Sequence, residues 1–173
     1  AAQTYKSPKL TRQAPEYGDI VAAAKALLNA ERPMIWAGAG VLFSGATASL
    51  RELAELTPAP VFCTMPGKSA FDERHPLALG AGSGATTLPA HRWLSDSDVM
   101  LALGTSLTRS PYGQQIHPGK LLIHNTINHE DINKDEGSDI ALIGDAALTI
   151  QALTDEVKSQ TGGNGTVDRN AIE

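Results

Sequence analysis

Cysteine is nearly absent from this 173-residue sequence, which contains only Cys63. A single thiol excludes an intramolecular disulfide and a zinc cluster built on cysteines. Because Cys63 ends the apolar run 61–63, we expect a buried structural thiol rather than a reactive one. A reducing compartment, the cytoplasm, is consistent with this cysteine usage.

Positive charge is also scarce, since 14 lysines and arginines stand against 19 aspartates and glutamates, for a net charge of -5. The basic residues are scattered and form no stripe, which argues against binding to a nucleic-acid backbone. No apolar stretch reaches the length of a membrane span, and no signal-peptide pattern precedes the domain. We therefore expect neither a nucleic acid nor a membrane as a partner.

The two ends of the sequence are polar and show no sustained helical or strand period. Residues 1–17 contain two prolines, and residues 159–173 are rich in glycine and polar side chains. Both compositions are typical of linkers. We expect one domain, residues 18–158, excised from a longer protein and flanked by linkers at 1–17 and 159–173.

Short apolar runs alternate with helical patterns across this domain. Strands are expected at 34–37, 61–63, 99–103, 120–124 and 140–143, and helices at 19–32 (capped by Asp19), 46–56, 89–94 and 146–158. Segment 75–80 leads into a turn rich in glycine, serine and threonine. Strands that are apolar throughout are typical of parallel sheets covered on both faces. The pattern predicts an α/β fold with a doubly wound, mostly parallel sheet of about six strands, Rossmann-like and of the DHS-like NAD/FAD-binding type.

Small residues follow the strands, at the edge where doubly wound sheets bind ligands. The glycines at 38, 40 and 45 miss the dinucleotide fingerprint, which needs its third glycine where Phe43 stands. Gly67 and Lys68 lack the upstream glycine of a Walker sequence. Spacing alone therefore leaves two alternatives open, a nucleotide site and a plain tight turn.

Residues with catalytic or metal-binding chemistry do not form a complete site. The five histidines lack the spacing of a metal-binding pair, although His124 and His129 near one strand end leave a histidine-lined pocket open. Ser44 is outside a nucleophile elbow and is expected to cap the next helix. We expect no catalytic residue and no metal site in this domain.

An ordered set of motifs runs through residues 17–158. They are RP-x-x-x-x-G-x-G-V-x-x-S-G-A from Arg32, P-V-x-x-T-x-x-G-K-S-x-F from Pro60, HPL-x-LG from His75, D-x-D-V-x-L-x-x-G from Asp96 and GDA from Gly144. With these motifs in this order, the sequence resembles the central domain of thiamine-diphosphate-dependent enzymes of the acetolactate synthase, pyruvate oxidase and benzoylformate decarboxylase superfamily.

The resemblance implies a three-domain subunit in which thiamine diphosphate and Mg²⁺ are bound by the other two domains. In this family the first domain supplies the glutamate that activates thiamine, and the last carries a GDG…N motif. Here Gly144-Asp145 continues as Ala-Ala. The parent would be a lyase or transferase acting on 2-keto acids, and the isolated domain would not be catalytic. The implied partners are the other two domains and further copies in a homodimer or homotetramer.

The acetolactate synthase branch binds FAD on its central domain, and some decarboxylases bind ADP there. Two departures stand out here, because Ser106 replaces the family's arginine and Thr126 and Asn128 replace its two ribose-binding acids. A buried ribose diol without its carboxylate loses about 1.5–3 kcal/mol. The resemblance places candidate FAD or ADP contacts at Gly38, Ala39, Gly40, Gly67, Lys68, Gly104, Thr105, Ser106, Arg109, Asn125, Thr126 and Asn128.

Two functions stay open. We favour a structural and oligomerisation domain with an altered crevice, in which Arg109 is a candidate phosphate contact. The alternative is a stand-alone module for FAD, ADP or CoA. A sirtuin-like NAD domain is disfavoured because it needs four zinc-binding cysteines, and a transhydrogenase-like domain because it needs a fuller dinucleotide turn.

Overall fold

Six parallel strands form one sheet in the computed structural model, which describes residues 11–162. The strands are β1 (Pro33–Ala37), β2 (Val61–Thr64), β3 (Ala78–Gly82), β4 (Val99–Leu103), β5 (Leu121–Thr126) and β6 (Ile140–Ile143). Their order across the sheet is β3-β2-β1-β4-β5-β6. This is the order of the doubly wound Rossmann fold, so the predicted fold class is confirmed.

Within the described residues, five α-helices and one 3-10 turn accompany these strands. They are α1 (Tyr17–Asn29), α2 (Ala39–Phe43), α3 (Thr47–Leu56), α4 (Leu88–Asp96), α5 (Ala146–Gln160) and the 3-10 turn His129–Asp131. The direction in which strands are added reverses between β1 and β4, which pair along their whole length. The carboxyl ends of these two strands therefore flank the place where such folds bind ligands. None of these helices is both long and apolar enough to cross a membrane.

Each face of the sheet has its own apolar core because side chains alternate along the strands. On β1, Ile35 and Ala37 belong to the larger core, which also contains the apolar faces of α1, α3 and α5. Met34 and Trp36 belong to the smaller core, where α4 contributes Ala90 and Leu94. All five residues of β1 and of β4 are buried. The continuous apolar runs at these strands follow from burial on both faces.

One strand and one helix were not predicted from the sequence. The strand is β3, whose residues Ala-Leu-Gly-Ala-Gly are each partly exposed at the edge of the sheet. Two glycines in five residues are unfavourable for a strand, and only the pairing with β2 overrides that preference. The helix is α2, a single five-residue turn directly after β1.

The structure corrects two helix caps and supports the expectation for the cysteine. Helix α1 begins at Tyr17, so Asp19 lies in its first turn and Glu16 takes the capping position. Ser44 ends α2, where its hydroxyl donates to the carbonyl of Val41, and does not cap α3. Cys63 is 4% exposed, and burial raises the pKa of its thiol to about 11, as expected for a structural cysteine.

The predicted linkers are only partly covered, since residues 1–10 and 163–173 lie outside the described residues. Within the first linker, the carbonyl of Gln13 accepts a hydrogen bond from the amide of Asp145 at 2.8 Å. Arg12 lies 3.7 Å from the Asp145 carboxylate. The chain just before α1 therefore packs on the turn between β6 and α5. The proposed domain limits at 18 and 158 stay predictions.

Three glycines allow the loops after β1 and β4 to touch. A Cβ built on Gly38 would lie 2.4 Å from the carbonyl oxygen of Gly104, and one on Gly40 would lie 2.7 Å from the Gly104 Cα. Gly104 itself has φ +59°, and its Cβ would lie 2.8 Å from the backbone of Gly40. These separations are shorter than any carbon side chain tolerates, so this contact requires glycine on both loops.

We predict that Gly38→Ala destabilises the fold by about 1–3 kcal/mol, because the new methyl group meets backbone that cannot move aside. Gly38 has φ -100°, which any residue adopts, so the cost is steric alone. Urea unfolding followed by circular dichroism measures it. Gly137→Ala is the matched control, since a Cβ there meets nothing within 4 Å, and it should change stability by less than about 0.5 kcal/mol. Equal stability of the two variants would contradict this account of the loop contact.

Candidate functional site

A cavity of about 540 Å³ lies at the carboxyl ends of β1, β2 and β4. Its volume is within the range of small-molecule sites. Its lining combines apolar side chains (Trp36, Met65, Pro66, Leu107, Ile116), hydroxyl groups (Thr64, Ser83, Thr105, Ser106, Thr108, Ser110, Tyr112) and two charged residues (Arg109, Glu136). The segment 105–117 forms one wall and is joined to the segment after β3, because Gln114 donates to the carbonyl of Ser83 and Gly84 donates to the carbonyl of Tyr112.

A second cavity, of about 300 Å³, lies on the other side of the switch point. Ala39, Gly104, Thr105 and Ser106 line both cavities and form a ridge between them. The exposed side chains of Phe43 and Ile127 contribute to the second one.

The structure brings seven of the twelve predicted ligand contacts to these two cavities. They are Ala39, Gly40, Gly104, Thr105, Ser106, Arg109 and Thr126. The other five do not line either cavity, namely Gly38, Gly67, Lys68, Asn125 and Asn128.

The turn after β1 uses its amide groups within the protein. The amide of Gly38 donates to the carbonyl of Leu103, and that of Gly40 donates to the carbonyl of Gly104, both at 2.8 Å. The amide of Val41 donates back to Gly38 at 3.2 Å. A phosphate-binding loop leaves such amides free for the ligand. Of the two alternatives left by the glycine spacing, this geometry matches the tight turn.

Gly67 and Lys68 lie in the loop after β2 and have separate roles. A Cβ on Gly67 would lie 2.6 Å from the carbonyl of Ala37, so this glycine packs on the end of β1. The ammonium group of Lys68 lies 3.8 Å from Glu73, and its side chain is 59% exposed. Lys68 therefore pairs with a residue of its own loop region and lines neither cavity.

Asn125 holds the ends of three strands together. Its side chain is fully buried, and its carbonyl oxygen accepts from the Gly104 amide at 3.1 Å. Its amide nitrogen lies 2.9 Å from the carbonyl of Leu142 and 3.0 Å from both the carbonyl of Gly144 and the hydroxyl of Thr149. These partners use both the donor and the acceptor of the side chain, which anchors the ridge to β6 and α5.

His124, the residue before Asn125, bonds to the same ridge. Its Nε2 lies 2.8 Å from the carbonyl of Thr105, which can only accept, so Nε2 carries the hydrogen. Ser138 lies 3.4 Å from Nδ1. Burial lowers the pKa of His124, and the Thr105 carbonyl and the charge of Asp131 oppose that shift in part. His124 is fully buried, and neither His124 nor His129 lines either of these two cavities.

The two residues in place of the family's acids bond to their own turn. Thr126 donates to the Asp131 carboxylate at 3.0 Å and accepts from the amide of Asn128 at 3.1 Å. The Asn128 side chain accepts from the amide of Glu130 at 3.2 Å and caps the 3-10 turn. Asp131, which the sequence did not single out, thus supplies a carboxylate beside Thr126.

Arg109 forms a two-point ion pair with Glu136, and both residues line the larger cavity. Its Nε and Nη2 lie 2.8 Å and 3.2 Å from the two carboxylate oxygens of Glu136. Its backbone amide donates to Asp135 at 3.0 Å. Sequence reasoning missed Glu136, which lies 27 residues away in an irregular segment and carries no motif.

Asp145 serves as a helix cap. One carboxylate oxygen accepts from the amides of Ala147 and Leu148 at 3.0 Å and 3.2 Å, at the start of α5. Residues 11–162 contain no group of three histidines, cysteines or acids able to hold a metal ion. The residues around Gly144-Asp145 therefore do not fit a magnesium diphosphate site.

We predict that His124 makes folding stability depend on pH. Since burial lowers its pKa in the folded protein below the ordinary value of 6.5, its contribution is fully present above about pH 6.5 and is lost as the pH falls below that value. Urea unfolding of the wild type and of His124→Gln, at about pH 8 and about pH 5.5, measures the effect. The loss on acidification should be smaller in the variant.

The control is His129→Gln, which removes an exposed histidine five positions further on. It should keep the wild-type loss of stability between the two pH values. An unchanged loss in His124→Gln would assign the pH dependence to another group.

Comparison with known proteins matches residues 20–153 to the family model described as the thiamine pyrophosphate enzyme central domain. The chain is 38% identical over 136 residues to a probable acetolactate synthase large subunit from Methanococcus aeolicus, covering 78% of this chain and 23% of that protein. It is 35% identical over 141 residues to an acetolactate synthase from Mycobacterium leprae, covering 80% and 23%. The chain thus spans about a quarter of the length of these relatives.

Two solved structures share the fold. A putative thiamin diphosphate-dependent enzyme from Mycobacterium smegmatis superposes with a TM-score of 0.76 at 26% identity, over 95% of this chain and 31% of that one. Benzoylformate decarboxylase from Polynucleobacter necessarius superposes with a TM-score of 0.78 at 20% identity, over 96% and 30%. The motif order, the fold and these matches agree, and the chain belongs to the family of thiamine pyrophosphate enzyme central domains.

Proposed function

We propose that this domain is the non-catalytic central domain of an acetolactate synthase-like enzyme that depends on thiamine diphosphate and Mg²⁺ and acts on 2-keto acids. Two relatives above 30% identity carry the acetolactate synthase name, which supports this parent activity. Thiamine diphosphate would supply the carbanion chemistry and would be held by the other domains. In this proposal the enzyme is cytoplasmic.

The internal use of polar groups around the two cavities carries the structural role. The amide of Gly40, the guanidinium of Arg109 and the hydroxyl of Thr126 would each be suited to a nucleotide, and each already has a partner in the protein. A ligand would have to compete with these existing partners. Groups arranged in this way rigidify the crevice and leave little to hold FAD or ADP.

Exposed apolar side chains at the same edge support a packing role. Phe43 is 87% exposed and Ile127 is 79% exposed, and both line the smaller cavity. Large apolar groups grouped at one edge are typical of surfaces that other domains cover. The proposed partners are the two cofactor-binding domains of the same subunit and, through them, a homodimer or homotetramer.

The larger cavity favours the alternative, a stand-alone adenine-nucleotide module for FAD, ADP or CoA. The cavity has about 540 Å³ and lies at the switch point, where Rossmann-like folds bind nucleotides. In this alternative a phosphate would contact Arg109, whose exposed guanidinium also binds Glu136.

We predict that the wild-type chain gives no binding heat with FAD or with ADP by titration calorimetry. The physical reason is that the phosphate-binding and ribose-binding groups are already paired. A circular dichroism melt run on the same sample shows that the protein tested is folded. Binding of either ligand at about micromolar Kd, roughly -8 kcal/mol, would favour the nucleotide module over the structural role.

We also predict that the full coding sequence carries a GDG…N motif within about two hundred residues after this domain, since typical domains have about 100–200 residues. Determining the flanking sequence tests this directly. The motif would supply the diphosphate and magnesium site that Asp145 does not form. Its absence from a completed coding sequence would refute the proposed parent enzyme.

A further inference from the structure

The charges of the larger cavity cancel within it. Arg109 and Glu136 are the two charged residues among its lining residues, and they form the two-point ion pair described above. The Glu136 side chain is 15% exposed, whereas that of Arg109 is 71% exposed. Asp135 binds the backbone of Arg109 and brings a second carboxylate to the same place. Local charge is therefore neutral to negative.

This arrangement opposes a phosphate group. Glu136 takes up Nε and Nη2 of Arg109, whose distances to the two carboxylate oxygens are 2.8 Å and 3.2 Å. A phosphate that approached the other N–H groups of this exposed guanidinium would come close to the carboxylates of Glu136 and Asp135. Placing like charges together is unfavourable, and Glu136 already neutralises the charge of Arg109.

The remaining lining is neutral and suits an uncharged ligand. Trp36, Met65, Pro66, Leu107 and Ile116 supply apolar surface. The hydroxyl oxygens of Thr64, Thr105 and Ser110 accept from backbone amides, which leaves their hydrogens to donate to a hydroxyl or carbonyl group of a ligand without any net charge. Sites for small molecules commonly combine an apolar wall with a few neutral polar groups.

We propose that this cavity binds an uncharged small molecule bearing hydroxyl or carbonyl groups, and that Glu136 is the residue that excludes its phosphorylated counterparts. Glu136 does so by holding Arg109 and by repelling the phosphate. The inference differs from the structural role proposed above, which requires no ligand.

The test compares uncharged probes with their phosphorylated partners on the wild-type chain and on Glu136→Gln. The pairs are riboflavin with FMN and adenosine with ADP, titrated by calorimetry, with the fluorescence of Trp36 as a second signal in a Trp93→Phe background. In the wild type, at least one uncharged probe should bind with a Kd at least about tenfold lower than its phosphorylated partner. In Glu136→Gln, where Arg109 is free and one negative charge is gone, that preference should fall to about threefold or less.

Glu31→Gln is the matched control. It removes the same charge from an exposed residue beside Asp98, at the opposite end of the strands, and should keep the wild-type preference. Three outcomes would each overturn the inference: no binding of either uncharged probe, equal binding of the phosphorylated probes by the wild type, or an unchanged preference in Glu136→Gln. None of them affects the proposed parent enzyme, which depends on the flanking motif.

Discussion

The contact between the loops after β1 and β4 is the constraint on which the rest of the crevice depends. Gly104 lies against Gly38 and Gly40 without side chains between them, so the ridge packs directly on the turn after β1. One cavity lies on each side of that ridge. The amides of Gly38 and Gly40 bond to the carbonyls of Leu103 and Gly104, so the same packing uses these two donors.

Strand β5 secures that ridge with polar side chains in the interior. His124 and Asn125 are fully buried, yet each bonds to the loop after β4, and Asn125 also reaches β6 and α5. A buried polar side chain is costly unless every bond is made, and here the bonds tie three strand ends into one unit. These hydrogen bonds also have a chemical consequence. The polar groups of His124 and Asn125, near the expected ligand position, hold the fold together and are not available to a ligand. A rigid crevice of this kind is suited to holding neighbouring domains in a fixed arrangement.

The sequence predicted the parts of the fold in which local pattern and burial agree. Strands β1 and β4 are short apolar runs ended by small residues, and all of their residues are buried. Strand β6 has the same apolar pattern, although Leu142 alone among its four residues is fully buried. Strand β3 was missed because Ala-Leu-Gly-Ala-Gly has poor strand preference and is held only by β2. In the site, the glycines could be placed at strand ends, but their spacing does not reveal where the amides point. Glu136 could not be identified from the sequence, because its role depends on the ion pair with Arg109. Only the folded chain brings these two residues together.

The glycines show why membership of the family does not determine which ligand this domain binds. Gly38, Gly40 and Gly104 are motif residues of the family, and in this chain the loop contact alone accounts for them. A position that packing requires stays glycine whether or not a nucleotide binds, so the motif identifies the fold and not the ligand. Ligand chemistry depends instead on the side chains that line the larger cavity, such as those of Ser106 and Glu136. At those positions this chain has a hydroxyl group and a carboxylate, which suit a neutral ligand or a domain contact better than a diphosphate.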